Sequence, residues 1–162
     1  MKKLNTCLTV GVIVLFAMVI VSGCRKIETN YSPEKEASLI HDWLDRQVKN
    51  NSNIDTTYTG LFYIVDKVGT GRKVLAGDEL TVQYTGMFLN GTIFDADPSF
   101  TYIHKLVDQP MIQGWVEGIE VLSKGGSALF LIPSEKAYGV YGWGTIPPFT
   151  PLLFKITVID IK

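Results

Sequence analysis

The side chains able to do covalent or metal chemistry are few. Cysteine occurs only at positions 7 and 24, and histidine only at 41 and 104. This set cannot supply a zinc site built on paired cysteines, and it leaves few options for nucleophilic catalysis. No companion ligands surround either histidine in the sequence, so no metal or other cofactor is expected. A net charge of −1 and a pI near 6.1 give no basic footprint, which argues against a nucleic-acid partner. With 162 residues, 46% of them hydrophobic and 19% charged, the chain can bury one core but is too short for two ordinary domains. Any catalysis must therefore come from other groups.

Cys24 closes an unusual N-terminus. Lys2 and Lys3 precede a run of 14 uncharged residues from Leu8 to Val21. That length is short for a bilayer core of about 30 Å and matches the apolar centre of a secretory signal. The run ends in Val21-Ser22-Gly23-Cys24, which resembles the lipobox of bacterial lipoproteins: an aliphatic residue, two small residues and the cysteine that is acylated. The resemblance implies a signal peptide over 1–23, lipidation at Cys24, a lipidated tether over 24–31 and a place in the bacterial cell envelope. An ordinary signal or an uncleaved anchor is the plainer reading. Arg25, in place of the aspartate that retains some lipoproteins at the inner membrane, points to the outer membrane.

A helix follows the tether. Ser32-Pro33-Glu34 is a start signal, because serine can accept from a free N–H, proline is tolerated in the first turn, and glutamate faces the positive helix end. Ala37, Ile40, Trp43/Leu44 and Val48 recur at three- and four-residue steps, so residues 32–53 are expected to hold an amphipathic helix that stops at the Asn50-Asn51-Ser52-Asn53 cluster. The stripe can pack on its own domain, or make a homodimer or partner contact through residues 33–49, with Trp43 at the centre. His41 on this helix is expected at the surface.

From Tyr58 the period changes to two. Gly60 to Val65 reads as a strand, Val68 to Gly71 as a turn, and Leu80 to Gly86 as a second strand. Asn90-Gly91 between Met87-Phe88-Leu89 and Thr92-Ile93-Phe94 is a hairpin signal, because both residues tolerate the positive φ of a tight turn. Ile112, Trp115, Ile119 and Leu122 mark one short helix, in which Gly114 and Gly118 would let the backbone approach a sheet closely. Ala128 to Ile132 suits a central strand, and Leu152 to Ile159 alternates as the last. Residues 54–162 are thus expected to form an α+β domain: a bent, mostly antiparallel sheet wrapped around one short helix.

Five segments carry a family resemblance: Val82-Gln83-Tyr84-Thr85-Gly86, Asn90 to Asp95, Met111 to Gly118, Ala137-Tyr138-Gly139 and Ile146-Pro147-Pro148. In this order and spacing they resemble the FKBP family of peptidyl-prolyl cis–trans isomerases over about residues 60–162. The resemblance implies proline-containing polypeptides as substrates and a binding pocket without a metal. It makes Trp115 the floor for a proline ring, with Tyr84, Phe94, Phe100 and Phe154 as walls and Met111, Ile112 and Ile146 at the rim. Tyr138 would bind a ligand carbonyl through its hydroxyl, as would the Ile112 backbone N–H. Asp95 would hold Tyr84 and lie near the twisted carbonyl, so Tyr84, Asp95 and Tyr138 are the expected catalytic groups.

The chain departs from the commonest members at three places. Two extra residues lie between Phe100 and Met111, in a flap (101–110) where His104 is expected to be solvated. The loop from Gly139 to Thr145 is one residue shorter and carries Trp143 at its tip. Phe149-Thr150-Pro151 replaces a more usual small polar stretch. Three functions follow: an isomerase assisting folding outside the cytoplasm, a proline-peptide binding or chaperone module with little isomerase activity, and a lipoprotein stacking sugars on Trp43 and Trp143.

Overall fold

The computed structural model describes residues 31–105 and 110–162. The expected signal peptide over 1–23, the expected lipidation site Cys24, the expected tether up to residue 30 and residues 106–109 of the flap lie outside the described residues. Helix α1 spans Pro33–Lys49. Ser32 caps it by accepting from the Lys35 N–H at 3.2 Å, with Glu34 and Glu36 in the first turn and Arg46 and Lys49 in the last, matching the helix dipole. The middle of its stripe, Ile40, Trp43 and Leu44, turns inward, while Ala37 and Val48 at its ends are exposed. Trp43, 3% exposed, packs with Leu131 and Leu153 and is flanked by Ile40 and Leu44. The buried Glu36 carboxylate accepts from the Ser134 backbone N–H (2.5 Å) and hydroxyl (2.6 Å), so the first turn is tied down as well. Trp43 is therefore unavailable for stacking sugars.

Among the described residues eight strands follow: β1 Ile54–Thr56, β2 Phe62–Lys67, β3 Thr70–Lys73, β4 Glu79–Phe88, β5 Ile93–Ile103, then β6 Ser123–Lys124, β7 Ser127–Ile132 and β8 Leu152–Ile161. Six of them form one antiparallel sheet in the order β1-β2-β7-β8-β4-β5, and β3 pairs with β6 apart from it. The segment expected as a turn at Val68–Gly71 already enters β3 at Thr70. There Gly69 lies so close to Ser123 that a Cβ would sit 2.5 Å from its carbonyl oxygen, so this glycine serves strand contact. Helix α2, Gln113–Ile119, lies between β5 and β6 in the chain.

The sheet is covered on both faces, which explains the unbroken apolar run of β7. Ala128, Phe130 and Ile132 face the main core with Trp115 and Ile119, whereas Leu129 and Leu131 face Trp43 of α1. Helix α2 can press against β7 because it presents glycines: a Cβ on Gly114 would meet Ile132 Cγ2 at 2.3 Å, and one on Gly118 would meet Phe130 Cδ1 at 2.9 Å. At the β4–β5 hairpin, Gly91 has φ 87° and the Asn90 side chain accepts from the Thr92 N–H at 2.9 Å, the conformation a tight turn demands. The fold is α+β, an antiparallel sheet bent around one short helix and preceded by an N-terminal helix, as expected.

Candidate active site

Strand β5 is irregular, and its irregularity builds the site. Its pairing with β4 slips between Val82↔Phe100 and Tyr84↔Asp97, and again between Gly86↔Asp95 and Met87↔Ile93. The first slip accommodates Pro98, which has no N–H to give a ladder; the second leaves Phe94 as an extra residue. A regular strand sends consecutive side chains to opposite faces. The bulge instead lets both Phe94 and Asp95 line one hollow.

That hollow has two connected parts, of about 350 Å³ and 250 Å³, which share Asp95, Tyr138 and Trp143. Tyr84, Asp95, Met111, Ile112, Trp115, Tyr138 and Phe154 line the larger part, and Phe94 and Ile146 the smaller. Trp115 is 1% exposed and is held edge-on by Tyr84 (ring centres 5.2 Å, 89°) and Phe154 (5.6 Å, 88°). Gly86 makes room for the walls, since a Cβ there would lie 2.7 Å from the Phe94 ring. Phe100 stands one layer back: it packs edge-on against Tyr84 at 5.8 Å and flat on Tyr102 at 5.3 Å, but borders neither part of the hollow.

The polar groups converge on the same space. The Tyr84 hydroxyl donates to Asp95 Oδ2 at 2.8 Å. Burial first, then the bond to Asp95, pushes the Tyr84 hydroxyl well above the ordinary tyrosine range, so it stays a donor. Tyr138 is also raised, by burial and the Asp95 charge, and its hydroxyl has no hydrogen bond among the described residues. The Ile112 N–H, at the start of α2 where no side chain caps it, likewise finds no acceptor among them. Two donors and one carboxylate-anchored hydroxyl thus face an apolar floor.

Two further residues belong to this arrangement: Tyr102, which sequence alone does not single out, and Trp143, expected at a loop tip but not among the site residues. Tyr102 is buried and accepts from Trp115 Nε1–H at 2.7 Å, pinning the indole from below. Trp143, although 71% exposed, borders both parts of the hollow. Its backbone is fixed by paired bonds with Ile146, N–H to O at 2.9 and 2.8 Å. The departure of its loop was the signal for Trp143. For Tyr102 the signal was the alternation Phe100, Tyr102, His104, which puts three rings on one strand face.

His104 corrects an expectation. It is fully buried, not solvated. Strand alternation carries it inward, where Nε2 lies 3.0 Å from Glu120 Oε1, a carboxylate that also takes Lys105 Nζ at 2.7 Å. Its backbone N–H donates to the Asp78 carbonyl at 2.8 Å. His41 is exposed, 3.6 Å from Asp45.

The sequence model of FKBP-type peptidyl-prolyl cis-trans isomerases matches residues 70–159, more than half of the chain. The chain belongs to this family. A probable FKBP-type peptidyl-prolyl cis-trans isomerase of Haemophilus influenzae is 32% identical over 129 residues, covering 79% of this chain and 54% of that protein. The crystal structure of FkpA from Escherichia coli superposes with a TM-score of 0.66 at 29% identity, over 80% of this chain and 62% of that one. A peptidyl-prolyl cis-trans isomerase from Pseudomonas syringae gives 0.64 at 26% identity, over 78% of this chain and 95% of that one. The chain spans about half the length of the curated relatives it matches. In this FKBP, α2 is further braced by Glu117, whose carboxylate takes Lys136 Nζ at 2.8 Å and the hydroxyls of Thr57 and Thr59. Those bonds outweigh burial and hold the Glu117 carboxyl below the usual range.

Proposed function

We propose that this protein is a peptidyl-prolyl cis–trans isomerase that assists the folding of polypeptides outside the cytoplasm. An X–Pro amide resists rotation by roughly 18–20 kcal/mol because resonance holds it planar. No bond to carbon has to break, so a catalyst need only bind the twisted amide better than the planar one. The planar form has the larger charge separation and is the better hydrated. A dry hollow floored by Trp115 and walled by Phe94 and Phe154 therefore favours the twisted form. Tyr138 and the Ile112 N–H fix the flanking carbonyls, so that binding energy orients the bond. Asp95 anchors Tyr84 and adds a local field beside the rotating carbonyl. The convergence of Trp115, the Tyr84–Asp95 pair and two unused donors on one hollow carries this reading.

The test is isomerisation of a proline tetrapeptide by wild type and Asp95→Ala. Wild type should speed exchange well above background, and Asp95→Ala should lower kcat/KM by roughly tenfold, each factor of ten being about 1.4 kcal/mol. A wild type no faster than background would leave a proline-binding module instead. The lipobox further supports a chain anchored through lipid on Cys24, at the outer membrane. No helix among the described residues is long and apolar enough to cross a membrane, and Cys24→Ser should release the full chain into the soluble fraction. A homodimer through residues 33–49 would have to use what α1 leaves outside, such as Val48, which is 64% exposed.

A further inference from the structure

A second hollow, of about 410 Å³, lies across a narrow ridge from the first. Lys35 and Leu39 of α1 form one wall, Phe88 and Leu89 at the β4–β5 hairpin another, and Pro147 and Phe149 the third. The ridge is the chain itself. Thr145 borders both hollows, and the consecutive residues Ile146 and Pro147 divide them, Ile146 lining the isomerase hollow and Pro147 the groove. Phe149 is held at φ 49°, a left-handed conformation rare for a bulky residue, while its N–H donates to the Gly139 carbonyl at 3.0 Å. Backbone held in such a conformation clusters at ligand clamps. Phe149 also belongs to the stretch that departs from the commonest family members.

We propose that this groove binds an apolar segment of the same polypeptide whose proline occupies the isomerase hollow, an inference that rests on the isomerase reading. An unfolded client continues on both sides of its proline, and a strand leaving the hollow over the Thr145–Pro147 ridge meets the groove next. The walls are mostly aromatic, leucine and proline surface, which rewards burial of apolar side chains. Asn90, whose side-chain oxygen is taken by the Thr92 N–H, keeps its amide NH2 to donate, and the Thr150 hydroxyl, which donates to the Pro148 carbonyl, keeps its oxygen to accept from an extended backbone. Among the described residues the lining holds no carboxylate and one cation, Lys35, so the preferred segment is apolar and neutral or acidic rather than basic. The groove thereby turns a pocket for one residue into a site that selects the apolar stretches exposed by unfolded chains.

The experiment compares a proline tetrapeptide, which fills only the isomerase hollow, with peptides lengthened on one side or the other. Each extension is about six residues, roughly 20 Å of extended chain, and rich in leucine and phenylalanine. In wild type one extension should raise kcat/KM by roughly tenfold. Leu39→Glu should remove that gain and leave the tetrapeptide rate unchanged. Lys35→Glu should shift the preference from acidic to basic extensions. A gain that is absent in wild type, or that survives Leu39→Glu, overturns the proposal, as does an equal loss on both substrates. A concentration-dependent dimer abolished by Leu39→Glu, with no peptide gain, would assign the groove to a second copy and also overturn it. Failure of wild type on the tetrapeptide itself is a separate result. It removes the isomerase reading and the groove's occupant together.

Discussion

The two hollows are opposite in character. The groove under α1 holds about 410 Å³, and its walls are mainly the apolar surfaces of Leu39, Phe88, Leu89, Pro147 and Phe149. The isomerase hollow, about 350 Å³ with a 250 Å³ annex, differs in that a carboxylate, two tyrosine hydroxyls and the Ile112 N–H face an indole floor. Volume measures what can be held. Convergence of donors on a dry surface determines what can be done to it. The hollow is braced from behind by Tyr102, by Glu117 with Lys136, and by glycines that seat α2 on β7.

Four substitutions or conditions would break or sharpen that contrast. The largest effect belongs to the floor. Trp115→Ala should cost about 3–5 kcal/mol of stability by opening a cavity in the core, and at a temperature where it stays folded it should lower kcat/KM on a proline tetrapeptide by roughly a hundredfold. Thermal melts and the peptide assay check the two parts. If a groove substitution does equal damage to the tetrapeptide rate, the contrast is lost. Next is Tyr102→Phe, which leaves the Trp115 N–H buried without an acceptor at a cost of about 1–3 kcal/mol. As a positioning change it should lower kcat more than it raises KM and alter the tryptophan emission spectrum. A purely structural role would lower stability and leave both unchanged.

A smaller effect lies in alkaline unfolding. Burial pushes the Tyr102 hydroxyl up to about 12, against about 10 in an unfolded chain. The folded state thus holds this proton more tightly, and the resulting stability is fully present below about pH 10 and lost as pH rises through 12. Urea midpoints of Tyr102→Phe should therefore fall less steeply over that interval than those of wild type. The smallest effect is Leu39→Glu on the tetrapeptide, expected within about twofold. A larger change measured in the same assay would show that the two hollows are energetically one.

What the sequence made legible was the part governed by local rules. Asn90-Gly91 announced its hairpin, Ser32-Pro33-Glu34 its helix, and Gly114 and Gly118 their close contact with β7, because each depends on the conformation or size of the residues involved. The resemblance named residues that the fold then gathers around one hollow, except Phe100, which stands one layer behind it. Illegible was whatever depended on register. Phe94 and Asp95 face the same space only because β5 bulges, and His104 turns inward only because the strand continues to Ile103 before the chain leaves it. The three-residue β1 offered no period to read. Tyr102 needed the position of a side chain on another element, Trp115, before its hydroxyl had a meaning.

The central claim is that the hollow turns an imide bond by desolvation and orientation, with no proton in flight. The most direct test is kcat/KM for a proline tetrapeptide measured in H2O and in D2O with the wild-type protein. Torsional catalysis predicts a clear rate above background in both solvents and a ratio of about 1, whereas rate-limiting general acid–base transfer would give a ratio of about 2 or more. A ratio in the second range would contradict the account, and so would the absence of any acceleration.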